Sequence, residues 1–428
     1  MRGARMKDKA EKARAASLVL AATEFDLRNT ALRMAAEALQ KAKANLFDAN
    51  RADRDDAAEQ GLAPPLLHRL VFDEGKLSEV IRGLTALADL PDPIGRVTLS
   101  RELTPGLCLY RVTCPIGVIG VIFESRPDAL VQIASLCVKT GNAALLKGGS
   151  EAKRTNRALF EALGEAFSRA GLPQDTLGLM ETRDEVGQML GLDSLIDLII
   201  PRGSNAFVRE IIKNSRIPVM GHADGVCHVY IDAMYDKEMA LRVVLDSKTQ
   251  YAAVCNAAET LLVHTHSADS FLPCLKPMMD DAGVTLYGCR RTRGIIACPE
   301  ADETGWGREY LDLKMDVRVV DSLEEAIAHI NRYGSGHTDA IVTTDSAAAE
   351  TFMTRVDSAG VFHNCSTRFS DGFRYGFGAE VGVATGKLHA RGPVGTEGLT
   401  TYKYRLIGKG HTVGDMASGR AFYTHKDL

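Results

Sequence analysis

The chain has 428 residues, 45% hydrophobic and 25% charged, enough for more than one core, because single cores stop growing near about 250–300 residues. Its 51 basic and 55 acidic side chains leave a formal charge of -4, a balance that argues against nucleic acid or an anionic membrane surface as the main partner. Nine scattered cysteines with no CxxC pair speak against a disulfide framework or a structural zinc site, and predict a reduced, cytoplasmic protein without a metal.

The opening MRGARMKDKAEKAR followed by AASLVLAA has the outline of a signal peptide. Asp8 and Glu11 interrupt its basic region, however, and the apolar patch runs on into an amphipathic pattern instead of a cleavage site. No run approaches the ~18 apolar residues needed to span a bilayer. Apolar residues at helical spacing (Leu27, Leu32, Met34, Leu39) predict two helices in the first 60 residues. RVTLSRELTPGLCLYRV (96–112) alternates apolar and polar residues around Pro105-Gly106 and predicts a hairpin.

From residue 117 short apolar runs trade with helical patterns: GVIGVIF, NAALLK, LIDLII and VCHVYI as strands, with helices between them and near 236–248. After Cys255 the pattern restarts with TLLV, a helix from about 267, GIIAC, VRVV, EEAIAHINRY, DAIVT, AAAETFMTRV and GVFH. Buried strands alternating with helices imply parallel sheets with crossovers, hence an α/β fold in two layers with a boundary near 235–250. A Gly-rich irregular stretch follows 366, and LTTYKYRLIG offers one more alternating strand.

Two turns suit an anionic or ribose-bearing ligand. Strand NAALLK ends in Lys147, and Gly148-Gly149-Ser150 then open a helix; LIDLII is followed by Arg202-Gly203-Ser204 and another helix. Helix starts present backbone N–H groups, and open α/β sheets bind ligands at the carboxyl ends of their strands. Each turn also reads as an ordinary serine-capped helix start. GxGxxG is absent. Cys255, in QYAAVCNAAET (250–260), has small neighbours and nearby backbone donors, as a nucleophilic thiol requires. A buried core thiol fits the same residues, since free cysteine is among the most buried residue types.

Seven stretches carry a resemblance: CPIGVIGVIFESRPD (114–128), KTGNAALLKGGSEA (139–152), QYAAVCNAAETLLVH (250–264), EYLDL (309–313), INRYGSGHTDAIVT (330–343), NCSTRFSDGFRYGFGAEVG (364–382) and RGPVGTEGLTTYKY (391–404). They resemble the aldehyde dehydrogenase superfamily, and more closely its acyl-phosphate-reducing branch, the γ-glutamyl phosphate reductases, over most of the chain from about 20 to 408.

The resemblance implies an aldehyde-dehydrogenase-like α/β fold, with two Rossmann-like parallel-sheet domains and a small β oligomerisation arm. Residues 1–96 and 118–245 would form the cofactor-binding domain and 246–390 the catalytic domain. The arm would be 97–117 with 391–414, and 415–428 a C-terminal tail of no assigned role. Cys255 matches the catalytic cysteine. Lys147 and Ser150 match the positions at the adenosine ribose, Gly203 and Ser204 the turn near the pyrophosphate, and Glu309 the glutamate on the nicotinamide ribose. Serine at 150, where NAD-preferring members carry glutamate, favours NADP(H). Arg126, Asn256, His337, Asn364, Ser366, Thr367 and Arg368 are the expected substrate contacts, with Arg368 on the α-carboxylate because a planar fork suits bidentate binding. Arg126 and Arg368 also read as structural arginines, and Glu309 as a solvated carboxylate.

Two departures bear on mechanism. The water-activating glutamate of hydrolytic relatives is missing from VMGHADGVCH (219–228), where Gly221 or His222 takes its place, and Ser125 stands where many relatives place an oxyanion-stabilising asparagine. The expected reaction is NADPH-dependent reduction of L-glutamyl 5-phosphate to L-glutamate 5-semialdehyde through a Cys255 thioester, in proline biosynthesis. A hydrolytic aldehyde dehydrogenase, a reductase of another acyl phosphate and a non-catalytic binding protein are the rival readings. A homo-oligomer is expected from the arm, and glutamate 5-kinase is a candidate partner; no nucleic acid or membrane is.

Overall fold

A computed structural model describes residues 2–124, 126–221, 224–302 and 304–428. Ser125 and His222, which enter the expectations above, lie outside them. In chain order the strands are β1 (Val97–Thr104), β2 (Leu107–Pro115), β3 (Val118–Phe123), β4 (Ala143–Lys147), β5 (Leu177–Met180), β6 (Leu198–Arg202), β7 (Cys227–Ile231), β8 (Ala258–His264), β9 (Thr285–Gly288), β10 (Lys314–Val320), β11 (Thr338–Val342), β12 (Gly360–His363), β13 (Val383–Ala384), β14 (Gly392–Pro393), β15 (Thr400–Ile407) and β16 (Lys426–Asp427). The chain divides into two compact units, Met1–Met220 with Phe377–Val381 and Gly395–Leu428, and Gly221–Gly376 with Gly382–Val394.

The first unit opens with three helices, Arg2–Leu20, Phe25–Lys41 and Lys43–Glu59, where two were expected. The last two are separated by Ala42 alone, with no glycine or proline to announce the break. Its central sheet has the order β5-β4-β3-β6 and is parallel throughout. Every residue of β3 and β4 is buried, as expected for strands covered on both faces by crossover helices. Helix Pro127–Lys139, which joins them, is also largely buried.

A second sheet in this unit, β15-β2-β1-β16, is antiparallel. Gly106, at a φ of 83°, makes the tight turn of the β1–β2 hairpin. β15 pairs with β2 along its whole length, from Thr400 opposite Pro115 to Ile407 opposite Cys108. All of its residues after Thr400 are exposed. The tail adds β16, whose Asp427 pairs with Arg101 at 2.7 Å.

The second unit is built on a six-stranded parallel sheet of order β12-β11-β7-β8-β10-β9. Strand β7, expected in the first half, lies in the middle of this sheet, so the unit opens at Gly221 and not at 246. Alternation marks a buried strand but does not say which sheet it joins. GIIAC forms no strand; the turn after helix Arg290–Arg293 runs through it, and the edge strand is the preceding Thr285–Gly288. Val229, Ile231, Leu261, Val263, Phe271 and Val317 sit in the core that one face of this sheet shares with helices Lys237–Thr249 and Thr265–Asp281. No helix among the described residues is long and apolar enough to cross a membrane.

Candidate active site

Cys255 lies in the turn between helix Lys237–Thr249 and β8, half-buried, while Asn256, Ala257 and the first residues of β8 behind it are buried. Short side chains let this turn pack tightly. A Cβ added at Gly225 would fall 2.3 Å from the Cys255 carbonyl oxygen, so only glycine fits there. From below, the Cys227 thiol donates to the Cys255 carbonyl at 3.2 Å. Gly225 and Cys227 carried no signal beyond the sequence stretch that lacks the water-activating glutamate.

The segment after β12 folds over the same turn. Thr367 Oγ1 donates to the Asn256 carbonyl at 2.7 Å, and Asn256 Nδ2 donates to the Ser370 carbonyl at 2.9 Å. Ser247, from the preceding helix, accepts from the Thr367 N–H at 3.2 Å and donates to Ser366 Oγ at 3.2 Å. Arg368 is nearly buried, and its Nε donates to Gln250 Oε1 at 2.9 Å. Burial and then the neighbouring Arg374 lower the pKa of this guanidinium, while Cys255 acts in the opposite sense. Arg374, which the sequence reading did not single out, donates to the Arg368 carbonyl. Four of the expected contacts, Asn256, Ser366, Thr367 and Arg368, therefore meet at the turn that carries Cys255 and at the helix end that leads into it.

His337 and Asn364 are placed differently. His337 is completely buried, with Nδ1 2.9 Å from Thr338 Oγ1 and 3.8 Å from Cys227 Sγ. Asn364, at a φ of 58°, accepts the Thr343 N–H and donates to the Thr343 carbonyl, both at 3.0 Å. It pins β12 to the end of β11. Glu309 is half-buried in the irregular segment before β10. Just beyond it, the Leu311 N–H donates to Glu259 at 3.3 Å and Tyr310 donates its hydroxyl to Asp316 at 2.9 Å.

In the first unit, Lys147 ends β4, opposite Ile122 of β3, and Arg202 ends β6, opposite Phe123. The two glycine-containing turns thus leave the carboxyl ends of strands on either side of β3. Lys147 is buried, which lowers its ammonium pKa, and it donates to the Gly148 carbonyl. Ser150 is exposed. Gly148, Gly149, Ser150, Lys153, Asn156 and Glu181 line a cleft. Buried Asn156 Oδ1 has no hydrogen-bond partner among the described residues. A Cβ at Gly148 would fall 2.1 Å from Asn156 Nδ2, so backbone comes unusually close here. An unpartnered buried acceptor beside a helix start and a lysine fits the adenosine end of a dinucleotide.

The second turn is occupied from within. Glu124 Oε2 accepts the Ser204 N–H at 2.9 Å and would clash with any side chain at Gly203. Arg126 is half exposed and pairs with Asp128 at 3.3 Å. Among the described residues no group of three His, Cys, Asp or Glu side chains could hold a metal ion.

Known proteins match this architecture closely. A sequence model of the aldehyde dehydrogenase family matches residues 2–285. The chain is 58% identical to a γ-glutamyl phosphate reductase of Pelotomaculum thermopropionicum, covering 99% of this chain and 98% of that one. It is 57% identical to the one from Acetivibrio thermocellus, covering 96% of each. The crystal structure of the Thermotoga maritima γ-glutamyl phosphate reductase superposes with a TM-score of 0.93 at 38% identity, covering 95% of this chain and 99% of that one. The chain belongs to the aldehyde dehydrogenase family and, within it, to the γ-glutamyl phosphate reductases.

Proposed function

We propose that the protein reduces L-glutamyl 5-phosphate to L-glutamate 5-semialdehyde with release of phosphate, as a cytoplasmic step of proline biosynthesis, using NADPH. The observation that carries this reading is the half-buried thiol of Cys255 on a turn that Thr367 and Asn256 tie down, with the nearly buried Arg368 guanidinium close enough to be influenced by it. A doubly anionic acyl phosphate that also bears an α-carboxylate is the kind of substrate such a site attracts.

The Cys255 thiolate attacks the acyl carbonyl, and the oxyanion is met by backbone N–H groups of the turn. The carbon–oxygen bond to phosphate breaks and inorganic phosphate leaves with the electron pair, giving a thioester. Reduced nicotinamide, when bound, supplies a hydride to the thioester carbon. The resulting hemithioacetal then loses the thiolate and releases the aldehyde. Lys147, Ser150 and Asn156 would hold the adenosine end and Glu309 the nicotinamide ribose. Gly203 and Ser204 would approach the pyrophosphate once Glu124 yields the Ser204 N–H. Arg368 orients the α-carboxylate, whereas His337 and Asn364 act by supporting β11, β12 and the cysteine turn. Arg126 remains available to anionic groups at the cost of its pair with Asp128. A general base for thioester hydrolysis has no place in this sequence of steps.

The first unit would serve as the cofactor-binding domain, the second as the catalytic domain, and the antiparallel sheet as the arm of a homo-oligomer. Direct receipt of the acyl phosphate from glutamate 5-kinase is compatible with this scheme. The test is NADP⁺ reduction with glutamate 5-semialdehyde, with and without phosphate. Turnover should require phosphate, and Cys255→Ser should remove it while leaving NADP⁺ binding intact. Phosphate-independent turnover would favour the hydrolytic alternative, and activity surviving at about a tenth or more in Cys255→Ser would refute the nucleophile.

A further inference from the structure

Beneath the Cys255 turn lies an ion pair that the reaction above does not use. Lys248, near the end of helix Lys237–Thr249, and Glu259, in β8, are both fully buried, with Lys248 Nζ 2.7 Å from Glu259 Oε2. They stand seven residues before and four residues after Cys255, so the pair closes the base of the loop that carries the thiol. The other carboxylate oxygen, Glu259 Oε1, accepts the Leu311 N–H at 3.3 Å. That contact fixes the segment immediately after Glu309.

The Leu311 backbone needs such a tie. Its φ of 52° lies in the left-handed region, which a branched side chain rarely occupies unless its surroundings enforce it. Tyr310 is held as well, stacked on Tyr287 with 5.9 Å between ring centroids and hydrogen-bonded to Asp316. Burial pushes the Glu259 carboxyl up to about 7, opposed by Lys248 and by the Leu311 and Tyr310 N–H groups. A buried pair is poor material for stability alone, since well-packed apolar side chains of similar volume often do as well or better.

We propose that Glu259, neutralised by Lys248, is a positioning residue that couples the Cys255 turn to the Glu309 segment, so that thiol and dinucleotide contact are set by one carboxylate. The proposal rests on the roles assigned above to Cys255 and Glu309, and goes beyond them by making their placement interdependent.

Two variants of the full-length protein test it, Glu259→Gln and the double variant Lys248→Met/Glu259→Met. For each, three quantities are read: NADPH affinity by fluorescence titration, the rate of Cys255 alkylation by iodoacetamide followed by mass spectrometry, and the melting temperature. Glu259→Gln should weaken NADPH binding and change the alkylation rate together, each by about fivefold or more. The double variant should recover the melting temperature but neither of the other two. A purely structural pair predicts the reverse, with all three quantities recovering when melting does, and that result would overturn the coupling. Movement of only one of the two site readouts would overturn it too, as would values within about twofold of wild type for both. Should Glu259→Gln fail to fold, the double variant decides. If Cys255→Ser keeps its activity, the reaction itself is wrong; if Cys255→Ser is dead while Glu259→Gln behaves as wild type, only the coupling is.

Discussion

A β-carbon built on Gly225 would lie 2.6 Å from the Cβ of Cys255 and 2.5 Å from its Cα. Both are backbone-anchored atoms, so the clash cannot be relieved by rotating a side chain. Gly225→Ala should push the cysteine turn away from Thr367 and Ser370, lowering kcat by about tenfold or more and stability by about 1–3 kcal/mol. Steady-state kinetics and a thermal melt check this; unchanged kcat would mean that the turn has room the geometry denies it.

Ser150 gives a test of the proposed cofactor choice. It is exposed on the cleft lined by Lys153 and Asn156. A carboxylate there accepts ribose hydroxyls but repels a 2′-phosphate. Ser150→Glu should raise the KM for NADPH by about tenfold or more and leave that for NADH within about threefold, by Coulomb repulsion at short range. Equal losses for both cofactors would place the 2′-phosphate elsewhere.

The outer strand β15 bears on assembly. Leu406 and Ile407 are 56% and 61% exposed, and one edge of the strand is unpaired among the described residues. Exposed edges of this kind pair with other chains unless something blocks them. Leu406→Asp should lower the oligomeric state seen by analytical ultracentrifugation, without unfolding the monomer. An unaltered sedimentation profile would move the proposed contact to another surface.

Acid stability should depend on a capping box. Thr182 and Glu185 cap the helix Arg183–Met189, and Glu185 also binds Lys9 at 2.7 Å. Burial alone would raise this carboxyl, but Lys9 and the Glu181 and Thr182 N–H groups outweigh it and hold the pKa at about 2. A depressed folded pKa stabilises above the unfolded value and loses that contribution as pH falls. Glu185→Gln should therefore cost about 2 kcal/mol at neutral pH and flatten the decline in melting temperature between about pH 4.5 and 2. An equally steep acid decline in the variant would assign the sensitivity to other carboxylates.

Local pattern made much of this legible. Runs such as GVIGVIF became fully buried strands, and the Pro105-Gly106 hairpin and the late strand at LTTYKYRLIG stand where alternation put them. What it missed was short or non-local. LGLM is four residues long and became β5; TLYG, as short, became β9 ahead of the more apolar GIIAC, which turned instead. In the candidate site, Cys255 and Arg368 stood out by residue type and motif. Gly225, Ser247 and Gln250 did not, because their partners lie far off in the chain, and Arg374 and the Lys248–Glu259 pair did not because irregular turns, which no period announces, bring their partners back to them.

The interleaved order of the two units has a consequence for how the chain is made. Strand β2 receives its neighbour only when residues 400–407 have left the ribosome, long after 221–376 are available to collapse by themselves. Until then the hairpin offers a naked flank to any passing extended peptide, and late, long-range closure of this sort is slow. A nascent protein stalled before residue 400 would be the species most prone to clump, and a chaperone's task would centre on that hairpin.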